Sequence, residues 1–160
     1  MGIFSNFFDR FKAADFEISH NKKLKTVQEE FMRNFGLSLR VYKGKMLADP
    51  DLTFAQLNQR TSKKIQANMD NLEIKANMVI GDFEKLIDEH FGLTVQVANE
   101  FNTYCVGNSY TIGQAARKED LLDWCKTRGH KSIEAWLDSE GFDSLEDYYN
   151  RNKPSESDNP

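Results

Sequence analysis

The side chains through which this chain could do chemistry are few. They are three histidines (His20, His90, His130), two cysteines (Cys105, Cys125) and the adjacent carboxylates Glu29-Glu30, Asp88-Glu89 and Glu146-Asp147. Zinc requires Cys or His ligands at short, fixed spacing, and no CxxC, HExxH or HxxxH pattern occurs. Neighbouring carboxylates on a helix diverge by about 100° and do not act on one substrate atom, so these pairs read as solvated faces. Cys105 falls beside Tyr104 and Val106 on an expected strand, and Cys125 beside Trp124 on an expected helix. Both read as buried, inert thiols. A Cys105–His90 nucleophile pair would lack the third, orienting group. Gly44 and Gly113 lack the flanking pattern of a phosphate-binding loop. The inventory therefore predicts no catalytic residue, no metal and no cofactor, and a protein that is not an enzyme.

Any site must then be a binding surface, and the elements that would carry it are legible in a repeat. Phe16–Val41 aligns with Leu72–Val97 at an offset of 56 without a gap, and 7 of 26 positions are identical (Glu17/Glu73, Ile18/Ile74, Asn21/Asn77, Phe35/Phe91, Gly36/Gly92, Leu37/Leu93, Val41/Val97). After a connection two residues longer in the second copy, Thr53-x-x-Gln56 meets Thr111-x-x-Gln114. Two copies of this length suit a duplicated small domain rather than a solenoid.

Within each copy, Phe16/Ile18 and Leu72/Ile74 alternate with charged residues, which predicts short half-buried strands. Val27, Phe31 and Phe35, and Phe83, Ile87 and Phe91, recur every four residues and predict amphipathic helices. Gly36 and Gly92 stop those helices. Leu37, Leu39 and Val41 alternate with Ser38, Arg40 and Tyr42 in a second strand, matched by Leu93, Val95 and Val97. Turns at Lys43-Gly44 and Asn99–Asn102 lead to a third strand, Met46–Ala48 and about Thr103–Val106, and each T-x-x-Q is a capping box opening a second helix. The expected class is α+β: two tandem β-α-β-β-α repeats (residues 15–66 and 67–117), with antiparallel sheets and helices on one face.

Residues 118–152 differ in character. KEDLLDWCKTRG, SIEAWLDSE and DSLEDYYN predict three short helices, the last opened by a capping box at Asp143-x-x-Glu146. Residues 153–160 read as a disordered tail. At the other end, residues 1–14 read as an amphipathic helix with Ile3, Phe4, Phe7, Phe8 and Phe11 on one stripe. Net charge is −4 in 160 residues, which argues against gripping nucleic acid as the main task. The charge is uneven: 12 Lys/Arg against 8 Asp/Glu over residues 1–70, and 6 against 11 over 118–160.

The strand, helix, FGL, strand, short turn and T-x-x-Q helix resemble a duplicated unit in small bacterial proteins of uncharacterised activity, a likeness that transfers no function. LRVYKGKMLADPDLTFAQL (Leu39–Leu57) resembles the third-strand region of ubiquitin-like β-grasp domains, but the chain lacks an opening hairpin before its first helix and a C-terminal Gly-Gly. A ferredoxin-like arrangement, with Leu72–Lys75 as a fourth strand of the first copy, fits the same string. The opening MGIFSNFFDRF is similar to the membrane-binding N-terminus of phage-shock protein A over about a dozen residues.

These readings predict a small cytoplasmic scaffold or regulatory protein that binds another protein. Phe4, Phe7, Phe8 and Phe11 would be anchors, with Arg40, Tyr42 and Gln96 as a polar rim. The alternatives are a nucleic-acid accessory protein using the basic first copy, and a membrane-surface protein held by Ile3–Phe11.

Overall fold

Among the described residues, alternation of apolar and polar residues lays down five short strands, and apolar residues every three or four positions lay down seven helices. The computed structural model describes residues 16–59 and 71–152. In chain order these hold β1 (Phe16–Ile18), α1 (Leu24–Phe35), β2 (Ser38–Lys43), β3 (Met46–Leu47), α2 (Phe54–Gln59), β4 (Leu72–Ile74), α3 (Ile80–Phe91), β5 (Thr94–Ala98), α4 (Ile112–Ala116), α5 (Glu119–Thr127), α6 (Ile133–Glu140) and α7 (Leu145–Arg151). The protein is α+β, with two small antiparallel sheets. The first compact unit ends at Arg117 and the second begins at Lys118.

Both sheets join one aligned segment to the other, and the β2–β3 hairpin adds a pairing within the first. β1 pairs with β4 through Phe16–Ile74, Glu17–Glu73 and Ile18–Leu72. β2 pairs with β5 from Ser38–Ala98 to Tyr42–Thr94, with Arg40 facing Gln96 at the centre. Both central pairs join residues 56 apart. The β1–β4 contact of the ferredoxin-like reading is present. Yet the single sheet that this or a β-grasp topology requires does not form among the described residues, because β1 bonds to neither β2 nor β3. Three-residue strands whose inner side chains are all buried gain more from straddling the midline of a common core than from extending a local sheet.

That core is dominated by phenylalanine. Val27, Phe31 and Phe35 of α1 and Phe83, Ile87 and Phe91 of α3 are fully buried in one cluster with Leu39, Val41, Val95 and Val97. Phe31 stacks on Phe83 with ring centroids 5.8 Å apart, and Phe16 meets Phe31 and Phe35 edge-on at 5.7 and 5.9 Å. The second helices cross over: α2 packs on α3, and α4 on α1. Asn58 of α2 is buried and donates to the Phe91 carbonyl (2.7 Å), satisfying one of the orphan acceptors at the end of α3.

Helix ends follow one recipe in both segments. Neither Lys23 nor Val79 offers a capping side chain. Instead the connection leading into the following short helix supplies carbonyls: Leu24 N–H donates to Leu52 O and Ile80 N–H to Tyr110 O, both at 2.9 Å. Lys25 N–H donates to Pro50 O (2.9 Å) and Gly81 N–H to Asn108 O (3.0 Å). Gly36 and Gly92 end α1 and α3 at φ 64° and 66°, a left-handed backbone that other residues adopt at a cost. Both T-x-x-Q capping boxes close, with Thr53 and Thr111 accepting from Gln56 and Gln114 amides at 3.1 and 3.0 Å.

Two expectations need correction. The third strand expected at about Thr103–Val106 is a single bridge, Ala98–Cys105, because the longer connection there forms a closed loop in place of a hairpin. The cap of α7 is Ser144, whose hydroxyl accepts from Asp147 N–H at 3.1 Å, rather than Asp143. The readings at residues 1–14 and 153–160 lie outside the described residues, as do parts of the expected 15–66 and 67–117 boundaries.

The second unit packs α5, α6 and α7 around an aromatic ladder. Trp124, Trp136 and Tyr148 recur every 12 residues and meet edge-on at 5.1 and 4.7 Å. Leu121, Cys125 and Leu137 are buried beside them, and Ser132 caps α6 as Ser144 caps α7. Among the described residues no helix is long and apolar enough to cross a membrane.

Two outcomes follow from this packing. Phe31→Ala should destabilise the first unit by about 3–5 kcal/mol in denaturant melts. Amide exchange should speed up on α1 and α3 together, because both line the one core. Burial raises the Glu84 carboxyl above its usual range, only partly offset by the Val97 amide. An acid whose folded pKa is raised binds more protons folded than unfolded, so its contribution to stability falls as pH rises from about 4.5 through the raised value. Glu84→Gln should therefore be more stable than wild type at pH 7, with the difference vanishing at pH 3.

Candidate functional site

The outer face of the β3-β2-β5 sheet gathers the polar strand residues expected at a rim. Leu39 and Val41 point into the core, so Ser38, Arg40 and Tyr42 project outward, opposite Ala98, Gln96 and Thr94. Tyr42 also faces Leu47 of β3 across the hairpin.

Arg40 does not reach out to solvent freely. Its Nε donates to Asn102 Oδ1 at 2.6 Å, its Nη2 to Asn102 O at 2.9 Å, and its Nη1 lies 3.3 Å from Cys105 Sγ. The thiol in turn donates to Gln96 Oε1 at 3.4 Å. Asn102 holds φ 55°, which Asn tolerates better than most residues. Behind it Asn99, almost fully buried, accepts from the amides of Thr103 (2.7 Å) and Tyr104 (3.2 Å). The longer connection of the second segment is thus a self-bonded loop, pinned by an arginine from the first.

Cys105 is exposed, contrary to its expected burial, because the bridge to Ala98 places it on the outer face rather than in a full strand. Its bonded neighbours, a guanidinium and an amide, cannot take up a proton, so the cluster lacks the base that thiol catalysis requires. Cys125 is buried, and burial raises its pKa, with Glu134 adding to the effect. It stays a neutral thiol in the core of the second unit.

The remaining candidates do not converge. His20 lies after β1 with its Nδ1 buried and unbonded, and His90 sits near the end of α3 with its ring 6.1 Å from that of Phe91. Among the described residues no group of three or more His, Cys, Asp or Glu side chains could hold a metal ion. A polar cleft of about 400 Å³ opens between β1 and α1, lined by Glu17, Lys22, Glu30, Arg33 and Asn34. Within it Lys22 pairs with Glu30 at 2.8 Å. Phe4, Phe7, Phe8 and Phe11 lie outside the described residues.

Sequence reasoning missed Met46 and Leu47, which are 76% and 64% exposed on β3. The signal was present in Lys43-Gly44-Lys45. Gly44 has φ 64°, as a two-residue turn opening on glycine requires, so Lys43 pairs with Met46 and β3 is only two residues long. A strand that short leaves its apolar side chains beyond the rim of the core.

Thiol titration tests this geometry. One of the two cysteines should react in the native protein and both in guanidinium. Arg40→Ala should speed the native reaction by freeing the loop, at a cost of about 1 kcal/mol in stability.

Comparison with protein-family models, with curated proteins and with solved structures gives no match.

Proposed function

We propose that residues 15–66 and 67–117 are two copies of one β-α-β-β-α unit assembled about a local two-fold axis. On this reading the chain is a non-enzymatic, cytoplasmic protein-interaction module. Support for the duplication comes from bonds that recur at offsets of 56 and 58: Ala48 N–H to Val41 O with Val106 N–H to Val97 O, and Phe54 N–H to Lys22 O with Ile112 N–H to Met78 O. The isolated bridges Lys23–Thr53 and Val79–Thr111 match in the same way.

The binding surface in this reading is the outer sheet face with its hairpin. The observation that carries it is the cross-strand pair of Tyr42 and Leu47, an aromatic beside an aliphatic side chain left largely in water. Covering apolar surface is favourable by about 25 cal/mol per Å². The pair therefore serves as the anchor, and the immobilised Arg40–Gln96–Cys105 cluster as a rim already ordered before contact.

Affinity capture on immobilised full-length protein tests the proposal. A discrete partner should be retained by wild type and depleted about tenfold by Tyr42→Ala with Leu47→Asp, whose melting should be unchanged. Equal recovery on both, or none on either, would overturn it.

A further inference from the structure

We infer that the outer edge of β3 takes a second copy of this chain, paired antiparallel about a two-fold axis at Leu47. The inference rests on the reading of Tyr42 and Leu47 as a binding surface, and it names what that surface binds.

Beyond β3 no strand follows among the described residues. Met46 pairs with Lys43 and Leu47 with Tyr42, and Ala48 N–H donates to Val41 O at 2.8 Å. In this phase Met46 and Ala48 bond inward to β2, and the N–H and C=O of Leu47 point away from it.

Leu47 shares the outer face with Tyr42, and its neighbour Met46 projects to the opposite face. Both are exposed, so a strand that covers the two must itself be apolar on both faces. Met46-Leu47-Ala48 is such a strand. Two copies laid antiparallel about Leu47 set leucine against leucine on the outer face. On the inner face each Met46 then meets Ala48 of the other copy, a side chain small enough to leave it room.

Charge fixes the register. Lys45 stands two residues before Leu47, and Asp49 two residues after it. The same two-fold sets each Lys45 against Asp49 of the other copy, so both ends of the pairing are complementary. Neither residue has an ion-pair partner among the described residues, whereas nearby Asp51 is paired with Lys25 at 3.0 Å. Pro50 disfavours helical backbone at Asp49 and carries no N–H, so the pairing runs up to Asp49 and stops.

The other end of the sheet does not offer this match. Val106 N–H donates to Val97 O as Ala48 N–H does to Val41 O, so Cys105 occupies there the place of Leu47. Thr103 and Gly107 stand where Lys45 and Asp49 stand, and Arg40 lies 3.3 Å from the thiol. A β3 edge laid on that end would leave its lysine and its aspartate without counterparts. One β3 therefore selects another, and like edges close into a dimer where unlike ones would run on into a fibre.

The test is sedimentation equilibrium of the full chain from about 10 μM to about 1 mM. The mass should rise reversibly from that of one chain to that of two and stop there. Amide exchange at Leu47 should slow over the same range. Leu47→Asp should abolish the rise with an unchanged melting profile. Lys45→Glu and Asp49→Lys, each alone, bring like charges together at both ends and should weaken pairing about tenfold. Mixed in equal amounts, these two variants have complementary ends again and should pair as wild type does. A chain that stays monomeric overturns the inference. So does a mass that climbs past two copies, a dimer indifferent to Leu47→Asp, or no recovery on mixing. Should Asp49→Lys shift the melt, Lys45→Glu decides alone, and an unweakened dimer overturns the inference. If the chain stays monomeric while partner capture still depends on Tyr42 and Leu47, only self-pairing falls; if both fail, the interaction-module reading falls too.

Discussion

The stacking of Phe31 on Phe83 is the contact around which the first unit is organised. It joins the middle of α1 to the first turn of α3, two helices separated by some fifty residues of chain. Once these rings share one interior, the strands flanking each helix are brought edge to edge with those flanking the other. β1 then finds β4, and β2 finds β5. A half of this size buries too little apolar surface to offset its chain entropy alone. Sharing the core removes that difficulty, since each half supplies the other's missing wall. The crossing of α2 onto α3 and α4 onto α1 closes the same interior from outside, and Asn58 turns one crossing into a directional bond.

Two residues of chain length separate the two ends of the larger sheet. In the first segment a glycine-led turn returns the chain at once and leaves a two-residue strand with bare apolar side chains. In the second, the longer connection has room to satisfy its own amides through Asn99 and to present a carbonyl and an amide to Arg40. The two positions are bonded to their strands alike, Ala48 N–H to Val41 O and Val106 N–H to Val97 O, and differ in what their side chains meet.

The second unit solves a different problem with different means. Its helices of seven to nine residues are too short to be stable by propensity. The rings of Trp124, Trp136 and Tyr148, each edge-on to the next, supply the large contact area that such short elements require. Arg128 lies over Trp124 at 4.3 Å and Arg151 over Phe142 at 5.1 Å, adding cation–π contacts at the rim of that cluster.

What the sequence determined by itself is the local part: the periodic stripes of α1 and α3, the glycine stops at positions 36 and 92, the capping boxes and the alternation of β2 and β5. Each depends on residues within a few positions of one another, so spacing alone carries it. The 12-residue recurrence of the second unit was equally present in the string, although it became visible only once the rings were seen to touch. Tertiary structure alone decided which strands pair, that Cys105 faces outward, that Arg40 is tied to Asn102, and that Met46 and Leu47 stand clear of the core. Those are contacts between residues up to 65 positions apart. Their partners are selected by how a common interior is filled, and no local pattern encodes that.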